Sequence, residues 1–301
     1  LAEQDRRIVA ITAGMRAGTG LTRFAQRFPE RFFDVGISEE HAVVFAAGLA
    51  AGGLIPVFAV YSTFAQRAID CIIHDVCLQR LPVVLCFDRA GIVGDDGPTH
   101  HGVFDIALCR PVPELVFMQP KDEAELAQML YTAIRLGGPA ALRYPRGAGP
   151  GARPPEAFAA LPVGKAEVLQ DGADVSFWAL GDMLAPAQAA AAALAAEGWS
   201  CRIVNARFIR PLDTELLRED ARRARLIVTL ENGVLAGGFG SGVEEALGAA
   251  GLRTPVLKVG WPDAFVPHGA REQLLDVYGL TGPAVAARAR ERLGPRPAAG
   301  G

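Results

Sequence analysis

The sequence predicts an α/β protein of two domains with mostly parallel sheets, the second domain smaller, and three observations lead there. Short β-branched runs alternate with longer stretches of helical periodicity along the chain. The strand-like runs are almost continuously apolar, the pattern of strands covered by helices on both faces. A stretch rich in glycine and proline, RGAGPGARPPEAFAALPVG at Arg146–Gly164, breaks the rhythm once before it restarts. The predicted organisation is a first domain over 1–148, a linker over 149–163 and a second domain over 164–301.

Taken in order, RIVAIT (Arg7–Thr12) is the first strand. In FDVGISEEHAVVFAAGLAAGG, Ser38 stands at an N-cap position, and Glu39 and Glu40 fall in the first helical turn, where the helix dipole favours negative charge. The helix Glu39–Ala51 is so rich in alanine, valine and glycine that burial nearly all round is expected. IPVFAVY (Ile55–Tyr61) is a strand, Thr63–Arg80 a helix, and PVVLCFD (Pro82–Asp88) a strand. LVFMQP (Leu115–Pro120), the helix Asp122–Leu136 and AALRYP (Ala140–Pro145) complete the first domain. Beyond the linker, strands at Asp174–Gly181, Cys201–Arg207, Arg225–Glu231 and Pro255–Gly260 are spaced by helices at Pro186–Glu197, Asp213–Ala224 and Gly242–Ala250.

Composition removes several classes of function. A net charge of −3 with interspersed acids and bases offers no basic surface for nucleic acid. No apolar run of spanning length is free of charge, glycine or proline, so a membrane role is not expected. Five scattered cysteines without CxxC spacing argue for reduced thiols in a cytosol-like compartment and against structural zinc.

Candidate functional residues gather at predicted strand ends, where open α/β sheets bind ligands. Glu39 arrives there on FFDVG, and a desolvated carboxyl in that place can share a proton with a ligand nitrogen. Tyr61, Phe64 and Arg67 follow the end of another strand. The bland alternatives are a core role for Phe64 and pairing of Arg67, Asp70, His74 and Asp75 along a polar helix face. The loop DRAGIVGDDGPTHHGVFD (Asp88–Asp105) is the most informative, because glycines frame Arg89, Asp95, Asp96, His100 and His101 at a strand end. Asp96 and His100 lack the further ligand cluster a metal site needs.

With those residues stand YSTFAQRAIDCIIHDV, PKDEAEL, RYPRG, ARFIRPLD and GGFGSGVEEAL. Together, and in order over nearly the whole chain, these segments resemble the 1-deoxy-D-xylulose-5-phosphate synthase family. The resemblance implies a transketolase-like pyrimidine-binding domain followed by a transketolase C-terminal domain. It also implies a thiamine diphosphate enzyme of isoprenoid biosynthesis that joins pyruvate to glyceraldehyde 3-phosphate with loss of carbon dioxide. In that family a glutamate bonded to the aminopyrimidine ring promotes loss of the thiazolium proton, and Glu39 matches it. Phe64 matches the aromatic residue stacked on that ring, and Arg67 a buried arginine near it. Asp96 and His100 match residues that contact the pyruvate-derived group and shuttle protons, and Tyr61 one that helps place the acceptor. Arg89 and Arg146 match the arginines that hold the acceptor's phosphate, with ion pairing at the domain edge as the alternative for Arg146 and for Arg143.

The chain departs from the family at Ser38-Glu39-Glu40-His41, where Ala-Glu-Gln-His is usual, and at Leu230, which stands before Glu231 where a glutamate is frequent. GGFGSG lacks the third glycine of a dinucleotide fingerprint. Nothing matches the N-terminal domain that holds the diphosphate through Mg2+, so a separate or lost partner domain is expected, in a homodimer or a heterotetramer. The chain's start at Leu1 leaves open a fragment or a split subunit, in the cytoplasm or the plastid stroma. Rival readings are a 2-oxoacid dehydrogenase E1 beta-like or transketolase C-terminal subunit, and a non-catalytic assembly partner of the same fold.

Overall fold

The computed structural model describes residues 1–295. The first domain is built on strands β1 (Ile8–Thr12), β2 (Phe32–Asp34), β3 (Ile55–Tyr61), β4 (Val84–Asp88), β5 (Val116–Met118) and β6 (Ala140–Arg143). The second carries β7 (Glu167–Gln170), β8 (Val175–Ala179), β9 (Cys201–Asn205), β10 (Phe208–Arg210), β11 (Leu226–Val234) and β12 (Val256–Trp261). The first sheet runs β10-β5-β6-β4-β3-β1-β2 and the second β12-β11-β8-β9-β7. All pairings are parallel except β10 on β5 and β7 on β9. The mostly parallel α/β architecture expected from the continuous apolar runs is therefore present.

The three strands not foreseen, β2, β7 and β10, are all edge strands of three or four residues. An edge strand packs against fewer neighbours, so its sequence needs no long apolar run. β10 comes from the second half of the chain yet closes the first sheet, with Phe208 opposite Met118. One apolar cluster extends from Phe58, Phe87 and Phe117 of the first sheet to Trp178, Val204 and Phe239 of the second half. The halves thus share a core.

Two helical expectations need correction. The Glu39–Ala51 helix buries Ala42, Val43, Ala46, Ala47 and Ala50, but Glu40, His41, Val44 and Gly48 form an exposed stripe. Alanine and valine report apolarity without direction, so composition alone could not show the open side. Ser38 is its N-cap by position, without a side-chain bond, and its carbonyl accepts from Ala42 N at 3.0 Å. The expected helix Thr63–Arg80 is instead an α turn (Ser62–Ala65), a 3-10 turn (Gln66–Ala68), a short α piece (Ile69–Cys71) and a π turn (Ile72–Cys77). Buried Ala65, Ala68, Ile72 and Val76 keep one face inward through every change of winding, which is why apolar spacing could not register the changes. No helix among the described residues is long and apolar enough to cross a membrane.

Candidate active site

Parallel pairing sets the carboxyl ends of β1, β3 and β4 along one edge, with Tyr61 in register opposite Asp88. The segments leaving β3 and β4 consequently emerge side by side. The Glu39–Ala51 helix begins shortly after the carboxyl end of β2, on the same edge.

Glu39 is only 2% exposed. Its Oε1 accepts from Arg67 Nη1 at 2.8 Å, while its Oε2 is buried without a hydrogen-bond partner. Arg67 pairs with Glu39 rather than with Asp70, His74 or Asp75, and its side chain stays 50% exposed, so it is not the buried arginine that the resemblance implied. A buried acceptor left unpaired costs about 1–3 kcal/mol, and a ligand donor would offset that cost.

The Arg67 guanidinium lies 5.1 Å from the centroid of Phe64. Tyr61 stacks on Phe64 at 5.8 Å and 11°, and His100 meets it edge-on at 5.5 Å and 73°. Arg89 sits over Tyr61, 3.8 Å from the ring centroid, donates to the Gly18 carbonyl at 2.7 Å and pairs with Asp88 at 2.9 Å. It does so from a left-handed backbone (φ 57°), a conformation non-glycine residues adopt at a cost of about 1–3 kcal/mol. Burial pushes the Asp88 carboxyl above its ordinary value, with Arg89 pulling the other way. Thr63 Oγ1 donates to the Thr99 carbonyl at 3.1 Å, and Thr99 Oγ1 lies 2.9 Å from His100 Nδ1. Ser62 Oγ is directed at the Gly102 carbonyl at 3.4 Å, and a Cβ at Gly102 would fall 2.6 Å from the Ser62 side chain, so only glycine lets the strands' exits lie this close.

Six of the eight sequence-predicted residues, Glu39, Arg67, Phe64, Tyr61, His100 and Arg89, thus form one connected set. The other two form an open ion pair, Arg146 Nη1 to Asp96 Oδ2 at 3.0 Å, with Arg146 also donating to the Val93 carbonyl at 2.8 Å. The loop from Val93 to His100 links the pair to the aromatic set.

Four further residues surround these eight: His101 and Arg143, which the sequence brings to notice without a site role, and Asn232 and Asp182, which it does not. His101 is buried, takes the Val93 N–H on Nδ1 at 3.2 Å and lies 3.3 Å from the Pro267 carbonyl through Nε2. Arg143 is fully buried and donates to Asp105 Oδ2 at 2.8 Å, Gln119 Oε1 at 2.5 Å and the Asn232 carbonyl at 2.8 Å. Asn232 and Asp182 belong to the second half, where Asn232 Nδ2 donates to Asp182 Oδ2 at 2.8 Å. Arginine at the end of the apolar run AALR was the available signal for Arg143; Asn232 had none.

A buried carboxyl oxygen without a partner and an aromatic ring, both linked to Arg67, suit a flat heterocycle bearing a hydrogen-bond donor, as the aminopyrimidine of thiamine does. No group of three or more His, Cys, Asp or Glu among the described residues is placed to hold a metal ion.

Comparison with known proteins gives the following. The family model for "Transketolase, pyrimidine binding domain" matches residues 1–151, and that for "Transketolase, C-terminal domain" matches 164–285. The 1-deoxy-D-xylulose-5-phosphate synthase of Gloeobacter violaceus is 56% identical over 299 residues, covering 99% of this chain and 47% of the relative. That of Acidobacterium capsulatum is 53% identical over 295 residues, covering 98% and 46%. The chain spans about half the length of these curated relatives. Among solved structures, a split-gene transketolase described as an inactive beta4 tetramer superposes with a TM-score of 0.88 at 35% identity, covering 97% of this chain and 94% of its own. Transketolase from Campylobacter jejuni shares the fold with a TM-score of 0.79 at 18% identity, covering 97% of this chain and 44% of its own.

Proposed function

Because the chain belongs to the transketolase family, carrying its pyrimidine-binding and C-terminal domains, we propose that it is the corresponding part of a thiamine-diphosphate-dependent 1-deoxy-D-xylulose-5-phosphate synthase. In this reading it works with a diphosphate-binding domain or subunit that holds Mg2+ and the diphosphate. The substrates are pyruvate and glyceraldehyde 3-phosphate, and the product enters isoprenoid biosynthesis. The observation that carries the reading is the buried, unpaired Oε2 of Glu39, whose other oxygen is held by an arginine that also lies 5.1 Å from the Phe64 ring centroid.

When bound, thiamine diphosphate supplies the carbanion chemistry of pyruvate decarboxylation and carbon–carbon bond formation. The chain's residues hold and tune it. Glu39 receives and returns a proton at Oε2, while Arg67 fixes the other oxygen and so the orientation of the carboxyl group. Phe64 offers a stacking surface for the pyrimidine, and Tyr61 and His100 brace that ring from two sides. Asp96 and His100 bind the pyruvate-derived group and exchange protons with it. Arg89 and Arg146 bind the acceptor's phosphate, for which the planar guanidinium fork is suited.

The exposed stripe on the Glu39–Ala51 helix, with Val44 47% exposed, and the neighbouring Ile37, 83% exposed, support a reading in which a partner covers this end of the first domain. The inactive tetramer of the split-gene transketolase supports the need for a separate unit. The test is reconstitution. The chain alone is expected to form no deoxyxylulose phosphate, and addition of a diphosphate-binding unit is expected to restore formation from pyruvate and glyceraldehyde 3-phosphate. Glu39→Gln in the restored enzyme is expected to lower the rate about 10²–10⁴-fold. Unchanged activity would favour the non-catalytic assembly reading, and turnover of other donors only would favour a 2-oxoacid dehydrogenase or transketolase subunit.

A further inference from the structure

Asn232 lies on β11, in the half of the chain that contributes none of the residues assigned above to cofactor or substrate. It is 1% exposed, and every polar group of its side chain is engaged. Its Oδ1 accepts from the backbone N–H of Ile92 at 3.0 Å and from Trp261 Nε1 at 2.8 Å. Its Nδ2 donates to Asp182 Oδ2 at 2.8 Å, and Asp182 is in turn held by Gln119 at 3.0 Å and Arg271 at 2.5 Å. Two N–H donors on one side and a carboxylate on the other fix which way the amide faces.

The bond to Ile92 reaches the loop that carries Asp96. The next residue, Val93, donates its N–H to His101 and offers its carbonyl to Arg146 at 2.8 Å. On the other side, Gly91 is clasped to Gly102 by two backbone bonds of 2.7 and 2.8 Å. Gly91 has φ +79°, and a Cβ there would fall 2.2 Å from Asn232 Cγ, so the loop runs directly against this side chain. A continuous set of bonds therefore leads from Arg271 and Asp182 through Asn232 and Val93 to Arg146, crossing from the second half of the chain to the first.

We propose that Asn232 is a positioning residue for the acceptor-phosphate end of the site: it fixes Ile92, and through Val93 it sets the place of Arg146 and its partner Asp96. This rests on the reading that Arg146 holds the acceptor's phosphate. A buried amide engaged on both sides admits few alternatives, and an aspartate of the same size is a sharp probe. At position 232 it keeps the acceptor for Ile92 and Trp261 but turns a carboxylate toward Asp182, where a donor is needed.

The experiment uses the holoenzyme, meaning the chain with its diphosphate-binding unit, thiamine diphosphate and Mg2+. Asn232→Asp is expected to raise KM for glyceraldehyde 3-phosphate about tenfold, with KM for pyruvate unchanged, the size of one disturbed coupling. Hydrogen exchange of the Ile92 and Val93 amides is expected to quicken by a similar factor. The pair Asp182→Asn with Asn232→Asp restores a donor between the two side chains and is expected to recover both readouts. Equal rises in both KM values, no recovery by the pair, or unchanged exchange would overturn the proposal. Should the unaltered holoenzyme turn over no glyceraldehyde 3-phosphate, the activity reading fails instead, and the exchange of Ile92 and Val93 decides the positioning role alone. A variant that does not fold is replaced by Asp182→Ala, which removes the acceptor of Asn232 Nδ2 and must quicken the same two amides.

Discussion

Glu39 and His101 show how far a single side chain's surroundings determine its chemistry. Glu39 is buried with one oxygen paired to Arg67 and the other without a partner. His101 is held neutral: burial lowers its affinity for a proton, and the Val93 N–H on Nδ1 requires that nitrogen to be unprotonated. Its folded value lies below the unfolded one, so the contribution to stability is present above about pH 6.5 and is lost as pH falls through the folded value. Urea midpoints measured from pH 7.5 to 5 are expected to fall more steeply for the native protein than for His101→Asn, which keeps an acceptor for Val93 but cannot titrate. Much of this scale was readable beforehand. Carboxylates, aromatics and arginines at strand ends announce themselves by residue type, and six of the eight residues singled out do converge. Asn232 and Asp182 were not legible, because their importance comes from bonds across 140 and 50 residues of sequence that no local pattern encodes.

At the scale of elements, the Glu123–Leu136 helix shows local and long-range reasons acting together. Asp122 caps it by accepting from Glu125 N at 2.7 Å, and Glu125 returns a bond to Lys121 N at 2.7 Å. Buried Glu125 also receives Arg207 Nε at 2.6 Å and Asn205 Nδ2 at 3.0 Å, so the first turn of a first-domain helix anchors the second half. Asp122→Ala is expected to lower unfolding free energy by about 1 kcal/mol in chemical denaturation, without a change in the denaturant slope. The central strands were predictable since both faces are covered and nearly every residue is apolar; β3 begins and ends where IPVFAVY does. Edge strands and the mixed windings after β3 were not, since the first need little apolar sequence and the second share one inward face with a regular helix.

Over the whole molecule, the two halves are bound by more than their connecting chain. Arg143 is the clearest case: a guanidinium with no exposure, joined to Asp105 and Gln119 on one side and the Asn232 carbonyl on the other. Removing one partner of such a buried charged group costs about 3–5 kcal/mol, so the halves are expected to unfold together. The glycine and proline run follows β6, yet it does not mark a mechanical boundary, because β10 returns to close the first sheet. Proteolysis makes the point concrete. Most of the stretch between 147 and 162 is exposed, and a protease cut there severs the polypeptide while Phe208 remains seated beside Met118. The nicked pieces should travel together through a gel-filtration column in native buffer and separate only when urea is added.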